Sequence, residues 1–489
     1  LLADTNALLH QIVREGDPSF VFEKIGANIK HVMIDEFQDT SRMQWGNFKL
    51  LLLEGLSRGA DSLIVGDVKQ SIYRWRNGDW GILNSLKNKI GPFSIKEKTL
   101  KANRRSEARI VQFNNELFTA ASGWLNDRYK KEQGHDCDEL LQAYKDVLQD
   151  ICKKDEKGYV KVSFLSKKDD ITYEENTLEQ LVEEVSRLDK QGVHLNDMVI
   201  LIRKNRTIPL IADYFDKHTS YRIVSDEAFR FDASLAICML MDALRLLSNP
   251  DNRIAKAQLA ASYQNEVLKQ NIDLNTLLLN DLDTYLPSAF VENKDTLRLL
   301  PLYELLEKLF NLFKLTLIEE QDAYLFAFFD KVSEYLKDHS SELTAFIAHW
   351  DEKLCSKTIP SGEIEGIRIM SIHKSKGLEY PTVLLPFCDW KMENEHISHI
   401  WCEPSTSPFN ALDLVPVNYG PTMDDSIYHD DYLKERLQLW VDNLNLLYVA
   451  FTRPKANLII WGKEKGDGTV SELIHENIGY TSCLSIGEA

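Results

Sequence analysis

Long apolar runs and paired cysteines are missing from this sequence of 489 residues. Its apolar stretches at 50–53 and 382–388 are far shorter than the ~20 residues that a membrane-spanning helix needs. The seven cysteines contain no Cys-x-x-Cys pair, which argues against a zinc ribbon or a cysteine-ligated iron–sulfur cluster and favours free thiols in a reducing compartment. We therefore expect a cytoplasmic protein that crosses no membrane.

A phosphate-binding loop of the form G-x-x-x-x-G-K-[S/T] is also missing. In such a loop, the backbone amides and the lysine hold the phosphates of a nucleotide. The only Gly-Lys pair of the sequence, Gly462-Lys463, is followed by Glu464. Residues 1–14 have no basic flank and no small-residue cleavage site, so they are unlike a secretory signal.

Positive charge is scarce overall but concentrated in one segment. The formal net charge of -18 argues against a protein that coats nucleic acid. Residues 66–109, however, contain eleven basic and four acidic side chains with aromatic residues among them, which favours contact with nucleic acid at this segment. Residues 132–190 contain sixteen acidic and nine basic side chains, which we interpret as solvated surface, with a partner-facing surface as the alternative.

Short apolar and β-branched runs alternate with helical patterns, which is typical of an α/β fold. Buried parallel strands are predicted at 31–34 and 62–65, with a helix at 45–56 between them. Between 251 and 353, leucines recur at intervals of three and four residues and β-branched runs are missing, which predicts an all-helical insertion. A second α/β set surrounds that insertion, with strands predicted at 159–165, 198–202, 221–225, 364–373, 382–386 and 456–461 and helices at 178–189, 208–218 and 430–452.

The first chemical feature is Asp35-Glu36, directly after the strand predicted at 31–34. An acid at the carboxyl end of a parallel strand is suited to hold Mg²⁺, and a neighbouring glutamate can deprotonate the attacking water in a nucleoside triphosphatase. Taken alone, such a pair is more often a loop entry or a helix N-cap. The motifs around it decide between these interpretations.

Five segments, in order along the chain, carry a resemblance to a known family. They are DEFQDT at 35–40, GDVKQSIYRWR at 66–76, LKANRRS at 100–106, MSIHKSKGLEYP at 370–381 and LLYVAFTRP at 446–454. These segments resemble motifs II to VI of the superfamily one DNA helicases of the UvrD/Rep/PcrA type. Ala228-Phe229, followed by a helical pattern at 235–247 and Ser-Asn-Pro-Asp, is most similar to the AddA/RecB branch, the helicase subunits of helicase–nuclease (exonuclease V) complexes.

The resemblance implies an α/β fold of RecA-like P-loop NTPase domains, the first one partial, with an inserted all-helical domain. It assigns a partial RecA-like domain 1A to 1–92, a RecA-like domain 2A to 93–250 and 354–489, and a 2B-like helical insertion to 251–353. The implied activity is that of an ATP-dependent DNA helicase or translocase that moves 3′-to-5′ in DNA repair or recombination. The implied cofactors are ATP and Mg²⁺.

For the nucleotide site, the resemblance implies a role for each matching polar residue. Asp35 would bind Mg²⁺, Glu36 would be the general base for ATP hydrolysis, and Gln70 would sense the γ-phosphate or its attacking water. Gly377 and Glu379 would approach the nucleotide, Glu379 through a ribose hydroxyl. A glycine at such a position lets the backbone come close to phosphate.

Four arginines are implied at the same site. Arg76, Arg105 and Arg453 match family arginines that surround the γ-phosphate, with Arg453 as the arginine finger. Arg104 stands where the family usually has an aromatic residue, and its planar guanidinium would stack on adenine instead. The alternative for each arginine is an ordinary surface ion pair.

Three further residues are implied to contact DNA. Tyr73 and Trp75 would stack on bases of single-stranded DNA, which needs no sequence readout, and His373 would lie near the strand. The alternative for Trp75 is a residue of the hydrophobic core, and an isolated histidine is usually only a satisfied polar side chain.

Family members carry the phosphate-binding loop upstream of DEFQDT, whereas 34 residues precede Asp35 here. We therefore expect this chain, which begins with Leu1, to be a piece of a larger motor that hydrolyses ATP poorly or not at all by itself. No acidic-lysine nuclease pattern follows Trp461, so we expect no DNA cleavage by the chain itself. The alternative function is a non-hydrolysing DNA-binding or scaffolding subunit. The expected partners are single-stranded or duplex DNA and a second helicase–nuclease subunit.

Overall fold

The computed structural model describes most of the chain. The described residues are 29–86, 90–91, 93–134, 136–153, 155–167, 171–225, 230–270, 272–318, 321–357, 365–393, 399–479 and 483–488. Residues 1–28 of the predicted domain 1A, the pair Ala228-Phe229 and the start of the strand predicted at 364–373 lie outside them. Two compact units are distinguished: one contains the described residues up to Ser220 and from Ile369 onward, and the other contains Tyr221–Arg368.

The strand–helix–strand order predicted for 31–65 is confirmed. Strands Met33–Ile34 and Leu63–Ile64 pair in parallel, with Ile34 opposite Ile64, and helix Arg42–Ser57 connects them. That helix begins at a capping box, in which the Ser41 hydroxyl accepts from the Gln44 amide and the Gln44 side chain accepts from the Ser41 amide. Below the strands lies a small apolar core formed by residues such as Phe37, Trp45, Leu52, Ile82 and Ile90.

The main sheet of the first unit is mostly parallel. From one edge its strands are Cys483–Ile486, Tyr159–Leu165, Pro454–Lys463, Tyr380–Leu385, Met198–Ile202 and Ile367–Ser371, the last of which begins in the second unit. Leu458 lies opposite both Val160 and Val383, which fixes the register of the three central strands. Every residue of Met198–Ile202 is buried, as expected for a parallel strand covered on both faces. The edge strand Cys483–Ile486 runs antiparallel to its neighbour.

Helices cover this sheet. Ala108–Gln133 is 26 residues long and ends at Gly134, whose φ of 79° is the left-handed conformation that favours glycine. The other helices of the unit outside the Met33–Ile64 layer are Gly81–Asn84, Asp138–Tyr144, Tyr173–Lys190, Ile208–His218, His429–Phe451 and Val470–Ile478. Two short strand pairs complete it: Ala102–Asn103 with Asp150–Ile151, and Ile400–Cys402 with Val415–Val417.

The second unit is mostly helical and has its own apolar core, in which Phe290, Phe313, Phe328 and Phe346 are fully buried. Its strand Ile223–Ser225 lies beside the start of Ile367–Ser371, and the Ile367 amide donates to the Arg222 carbonyl at 2.9 Å. Its helices are Leu235–Ser248, Arg253–Ser262, Leu274–Leu279, Ser288–Glu292, Lys294–Leu297, Leu302–Leu312, Asp322–Asp338 and Leu343–His349, with π-helical turns at Tyr263–Val267 and Trp350–Leu354. The domain boundaries assigned by resemblance remain predictions.

No helix among the described residues combines the length and the apolar character needed to span a bilayer. The Gly462-Lys463 pair does not form a loop. It lies at the end of strand Pro454–Lys463, with Gly462 opposite Phe164 and Lys463 opposite Leu165. A Cβ atom on Gly462 would lie 2.5 Å from the Ser471 hydroxyl, so close helix–strand packing requires glycine here.

Candidate functional site

Asp35 and Glu36 follow the strand Met33–Ile34 and are exposed to solvent. The Glu36 amide donates to Oδ1 of Asp35 at 2.8 Å. Glu36 adopts φ 51° and ψ 38°, a left-handed conformation that side-chain-bearing residues rarely take and that often occurs at functional sites. The turn therefore separates the two carboxylates from the regular strand and presents them beyond its carboxyl end.

Gln38 connects this turn to the second strand of the parallel pair. Its buried side chain donates from Nε2 to Oε2 of Glu36 at 2.6 Å and accepts at Oε1 from the Asp67 amide at 3.0 Å. The carboxamide thus satisfies one group from each of the two strand ends. The adjacent glycine makes room for it, because a Cβ on Gly66 would lie 2.8 Å from that Oε1 atom.

Gln70 lies after the second strand and is held by Asp67. Its Nε2 donates to Oδ2 of Asp67 at 3.0 Å, while Nζ of Lys69 lies 2.6 Å from Oδ1 of the same carboxylate. Gln70 and Glu36 are therefore linked through Asp67 and Gln38. The structure brings these two predicted residues to the same end of the strand pair.

Lys376 is the residue that sequence reasoning missed. Its Nζ atom lies 2.5 Å from Oδ2 of Asp39 and 3.2 Å from Oε2 of Glu36, and its side chain is only 6% exposed. It also lies 5.2 Å from the ring centroid of Tyr73. Burial raises the pKa of Asp39, and the hydrogen bond from Lys376 opposes that rise. The available signal was its place in KSKGLEY, beside the predicted nucleotide residues.

Arg105 and Glu379 form an ion pair next to this group. Nε of Arg105 donates to Oε2 of Glu379 at 3.1 Å, and Nη1 donates to the Thr452 carbonyl at 3.0 Å. Nζ of Lys455 lies 2.6 Å from the other oxygen of Glu379, and this contact lowers the pKa of that carboxyl. Arg104, in contrast, is exposed.

Arg453 follows helix His429–Phe451 and is 1% exposed. Its guanidinium donates to the carbonyls of Val449 and Leu378 and to the Thr452 hydroxyl, at 2.9–3.0 Å. Burial lowers its pKa to about 10. The segment that it contacts turns at Gly377, where φ is 80° and nothing lies within 4 Å of a Cβ position. The backbone there is open to an approaching ligand.

The predicted DNA-contacting residues form a second group. The ring centroids of Tyr73, Trp75 and His373 lie 6.1–6.4 Å from one another, and the Tyr73 hydroxyl donates to the His373 carbonyl at 3.1 Å. Trp75 is 64% exposed, so it is not a core residue. The guanidinium of Arg76 lies 4.3 Å from its ring centroid, which groups this arginine with the aromatic residues.

His373 is uncharged at neutral pH. Burial, with a smaller contribution from the positive charge of Arg203, lowers the pKa of its imidazole to about 4. A neutral ring beside Tyr73 and Trp75 contributes a flat surface without a fixed charge.

A cleft of about 440 Å³ lies beside the acidic turn, lined by residues that include Asp35, Glu36, Asp39, Thr40 and Gln44. Its polar lining offers carboxylate, hydroxyl and amide oxygens, which are the ligands that Mg²⁺ prefers. No group of three or more His, Cys, Asp or Glu residues suited to a metal occurs in the part of the chain that the structure describes. This donor set fits an ion such as Mg²⁺, which usually takes one or two carboxylates together with phosphate oxygens and water.

Comparison with known proteins matches both ends of this site. Residues 1–91 match the UvrD/REP helicase N-terminal domain, and residues 299–465 match the UvrD-like helicase C-terminal domain, together more than half of the chain. The chain belongs to the UvrD-like helicase family. The acidic turn and the aromatic group near Tyr73 lie in the first matched region, and Lys376, Glu379 and Arg453 lie in the second.

Similar curated proteins of this UvrD-like family share one description: each is the AddA chain of an ATP-dependent helicase/nuclease. The protein of Streptococcus suis is 26% identical over 496 residues, which cover 89% of this chain and 40% of the relative. Those of Streptococcus sanguinis and Streptococcus uberis are 26% and 25% identical, with 88% of this chain and 40% of each relative covered. The chain spans about two fifths of the length of the curated relatives that it matches.

Proposed function

We propose that this UvrD-like chain contributes the ATP-hydrolysing and strand-gripping core of a DNA helicase that moves 3′-to-5′ in repair or recombination. One observation carries the proposal. The single ammonium group of Lys376 contacts the acidic turn at Glu36 and Asp39 and also lies against the ring of Tyr73. A nucleotide-dependent change at the acidic turn therefore has a direct route to the aromatic group.

The nucleotide side is assigned as follows. Asp35 would hold Mg²⁺, which when bound would neutralise charge on the phosphates. Glu36 would accept a proton from the attacking water, and Gln70 would orient that water. Glu379 would reach the ribose beside Gly377.

The arginines would complete the nucleotide side. Arg105, Arg453 and Arg76 would face the transferring phosphate, and Arg104 would stack on the base. For Arg453 and Arg76 this requires that their present contacts be exchanged on closure, since Arg453 now binds backbone carbonyls and Arg76 covers Trp75.

The sequence lacks the G-x-x-x-x-G-K-[S/T] loop, so we propose that these 489 residues alone do not turn over ATP. The test is phosphate release by the full chain with single-stranded DNA, beside Glu36→Gln and the surface control Glu54→Gln. We expect no turnover in any of the three. Turnover that Glu36→Gln abolishes and Glu54→Gln preserves would contradict this proposal while supporting the role of Glu36.

DNA binding is tested with a fluorescein-labelled oligothymidylate and measured by anisotropy. Trp75→Ala is expected to weaken binding by ~1–3 kcal/mol, the contribution of one stacked base. Trp401→Ala is the matched control, because Trp401 is exposed to the same 64% on the strand Ile400–Cys402. Equal affinities for the wild type and Trp75→Ala would refute a stacking role.

A non-hydrolysing DNA-binding or scaffolding subunit is the second candidate. It is favoured by the missing phosphate loop, whereas the acidic turn, Gln70 and Arg453 favour the motor because a binding module needs none of them. In either case we propose that the partner is a second helicase–nuclease subunit and that the location is the cytoplasm. Binding of a fluorescent ATP analogue that Arg453→Ala or Asp35→Ala weakens would decide for the motor.

A further inference from the structure

Arg74 stands between the two exposed aromatic residues of the second group, but its side chain points into the protein. Its Nε donates to Oδ2 of Asp442 at 2.5 Å, and Nη1 and Nη2 donate to the two carboxylate oxygens of Glu435 at 3.0 and 2.9 Å. Three charge-assisted bonds therefore fix one guanidinium. Since two carboxylates already neutralise it, Arg74 is poorly suited to bind a DNA phosphate.

Both carboxylates belong to one stripe of the helix His429–Phe451. Glu435, Gln438, Asp442 and Asn445 recur at intervals of three and four residues, so they share one helix face. Each holds a part of the segment 68–80. Gln438 accepts from the Trp80 indole at 3.2 Å, and Asn445 donates to the Val68 and Ser71 carbonyls at 3.0 Å each.

Arg74 is the only member of this contact set that lies next to the exposed ring of Trp75. It begins the 3₁₀ turn Arg74–Arg76, which ends at Asn77 with φ 65°. A guanidinium held at three points fixes the backbone of this turn. The fixed backbone in turn sets the direction in which the Trp75 side chain leaves the surface.

We propose that Arg74 is a positioning residue for single-strand binding: through Glu435 and Asp442 it holds Trp75 in the orientation in which a base stacks on it. The inference rests on the proposed function, in which Trp75 stacks on DNA. A ring that is ordered before binding loses less conformational entropy when the base arrives, so its affinity is higher. Arg74 itself does not touch the strand.

The experiment uses the full chain and the labelled oligothymidylate. The variants are Arg74→Lys, Glu435→Gln, Trp75→Ala and the double variant Arg74→Lys/Trp75→Ala. Arg74→Lys keeps a positive charge beside Asp442 but loses the fork geometry. Glu435→Gln leaves the bond between Arg74 and Asp442 in place, so it decides the outcome if Arg74→Lys does not fold. Arg58→Lys is the control, since Arg58 pairs with Glu54 on an exposed helix surface.

Arg74→Lys and Glu435→Gln are each expected to weaken binding about threefold to tenfold. In the Trp75→Ala background, Arg74→Lys is expected to have no further effect, because the ring that it positions is gone. The slope of log Kd against log salt is expected to stay unchanged, whereas loss of a phosphate contact would lower it by about 0.7. Arg58→Lys is expected to bind like the wild type.

Two results overturn the inference while leaving the proposed function in place. One is an Arg74→Lys effect that persists undiminished without Trp75 or that lowers the salt slope. The other is a loss of affinity in Trp75→Ala that neither Arg74→Lys nor Glu435→Gln reproduces. If Trp75→Ala binds as tightly as the wild type, the stacking function itself fails, and the inference fails with it.

Discussion

Nζ of Lys376 and Oδ2 of Asp39 lie 2.5 Å apart, although 337 positions separate the two residues in the sequence. The bond joins the loop after the strand Ile367–Ser371 to the turn after the strand Met33–Ile34. It is mostly buried, because the lysine and aspartate side chains are 6% and 22% exposed. An ion pair of this kind is costly to break by removing one partner.

Lys376→Met is accordingly expected to lower the free energy of unfolding by about 3 kcal/mol, because it leaves Asp39 buried without its counter-charge. Urea unfolding followed by tryptophan fluorescence measures the change. The double variant Lys376→Met/Asp39→Asn is expected to recover part of the loss. Lys217→Met is the control, since Lys217 and Asp213 are both 64% exposed and their pair contributes ~0.5 kcal/mol. Equal losses in Lys376→Met and Lys217→Met would contradict the interpretation.

Gly66→Ala is expected to destabilise the protein by ~1–3 kcal/mol. Its new Cβ would lie 2.8 Å from Oε1 of Gln38 and 3.0 Å from Cδ2 of Leu83, so it would displace the amide that joins Glu36 to Asp67. Gly123→Ala is the matched control. Nothing lies within 4 Å of a Cβ at this helical position, so alanine is expected to stabilise by ~0.5–1 kcal/mol. Thermal unfolding of the two variants should therefore shift in opposite directions.

His373 and Asp442 are expected to give opposite pH dependences of stability. The folded-state pKa of His373 is lowered to about 4, chiefly by burial, so its contribution is present above pH 6.5 and is lost as pH falls toward 4. Burial raises the pKa of Asp442 to about 6, so its contribution is present below pH 3.8 and is lost as pH rises through 6. Each shift of roughly two units corresponds to about 3 kcal/mol.

Two variants separate these contributions. Relative to the wild type, His373→Gln is expected to be about 3 kcal/mol more favourable at pH 4 than at pH 7, and Asp442→Asn to show the reverse. Unfolding free energies measured at both pH values give the two differences. Parallel pH profiles for the wild type and both variants would show that neither group titrates as its surroundings indicate.

Arg453→Lys is expected to destabilise the fold by ~1–3 kcal/mol even without nucleotide. The lysine ammonium cannot reproduce the fork that binds the Val449 and Leu378 carbonyls, so at least one buried carbonyl loses its partner. Arg58→Lys, on an exposed helix surface, should change stability by less than ~0.5 kcal/mol. Differential scanning calorimetry compares the two. No loss in Arg453→Lys would show that water replaces the missing donors.

The main sheet could be predicted because its strands are continuous apolar runs. Strands Tyr159–Leu165 and Met198–Ile202 and helix Ile208–His218 have the predicted bounds. Two elements were missed. Helix Ala108–Gln133 buries Asn114, Ser122 and Asn126 among its apolar residues, which obscures the helical pattern, and strand Cys483–Ile486 has only four residues.

The candidate site was predicted less completely. The motifs identified Glu36, Gln70 and Trp75, whose positions follow from the strands and turns that carry them. The partners of these residues could not be found in the same way. Arg74 binds carboxylates 361 and 368 positions away, and Lys376 binds one 337 positions away. Such pairs depend on which strand ends and helix faces meet, and local sequence patterns do not contain that information.

The left-handed backbone of Glu36 sets stability against chemistry at one position. Glycine adopts this conformation freely, whereas a residue with a side chain gives up roughly 1 kcal/mol there. A selection for heat resistance alone would therefore enrich Glu36→Gly and discard the carboxylate. Retention of glutamate under such a screen, when DNA-dependent growth is selected at the same time, would measure how strongly function opposes the more stable backbone.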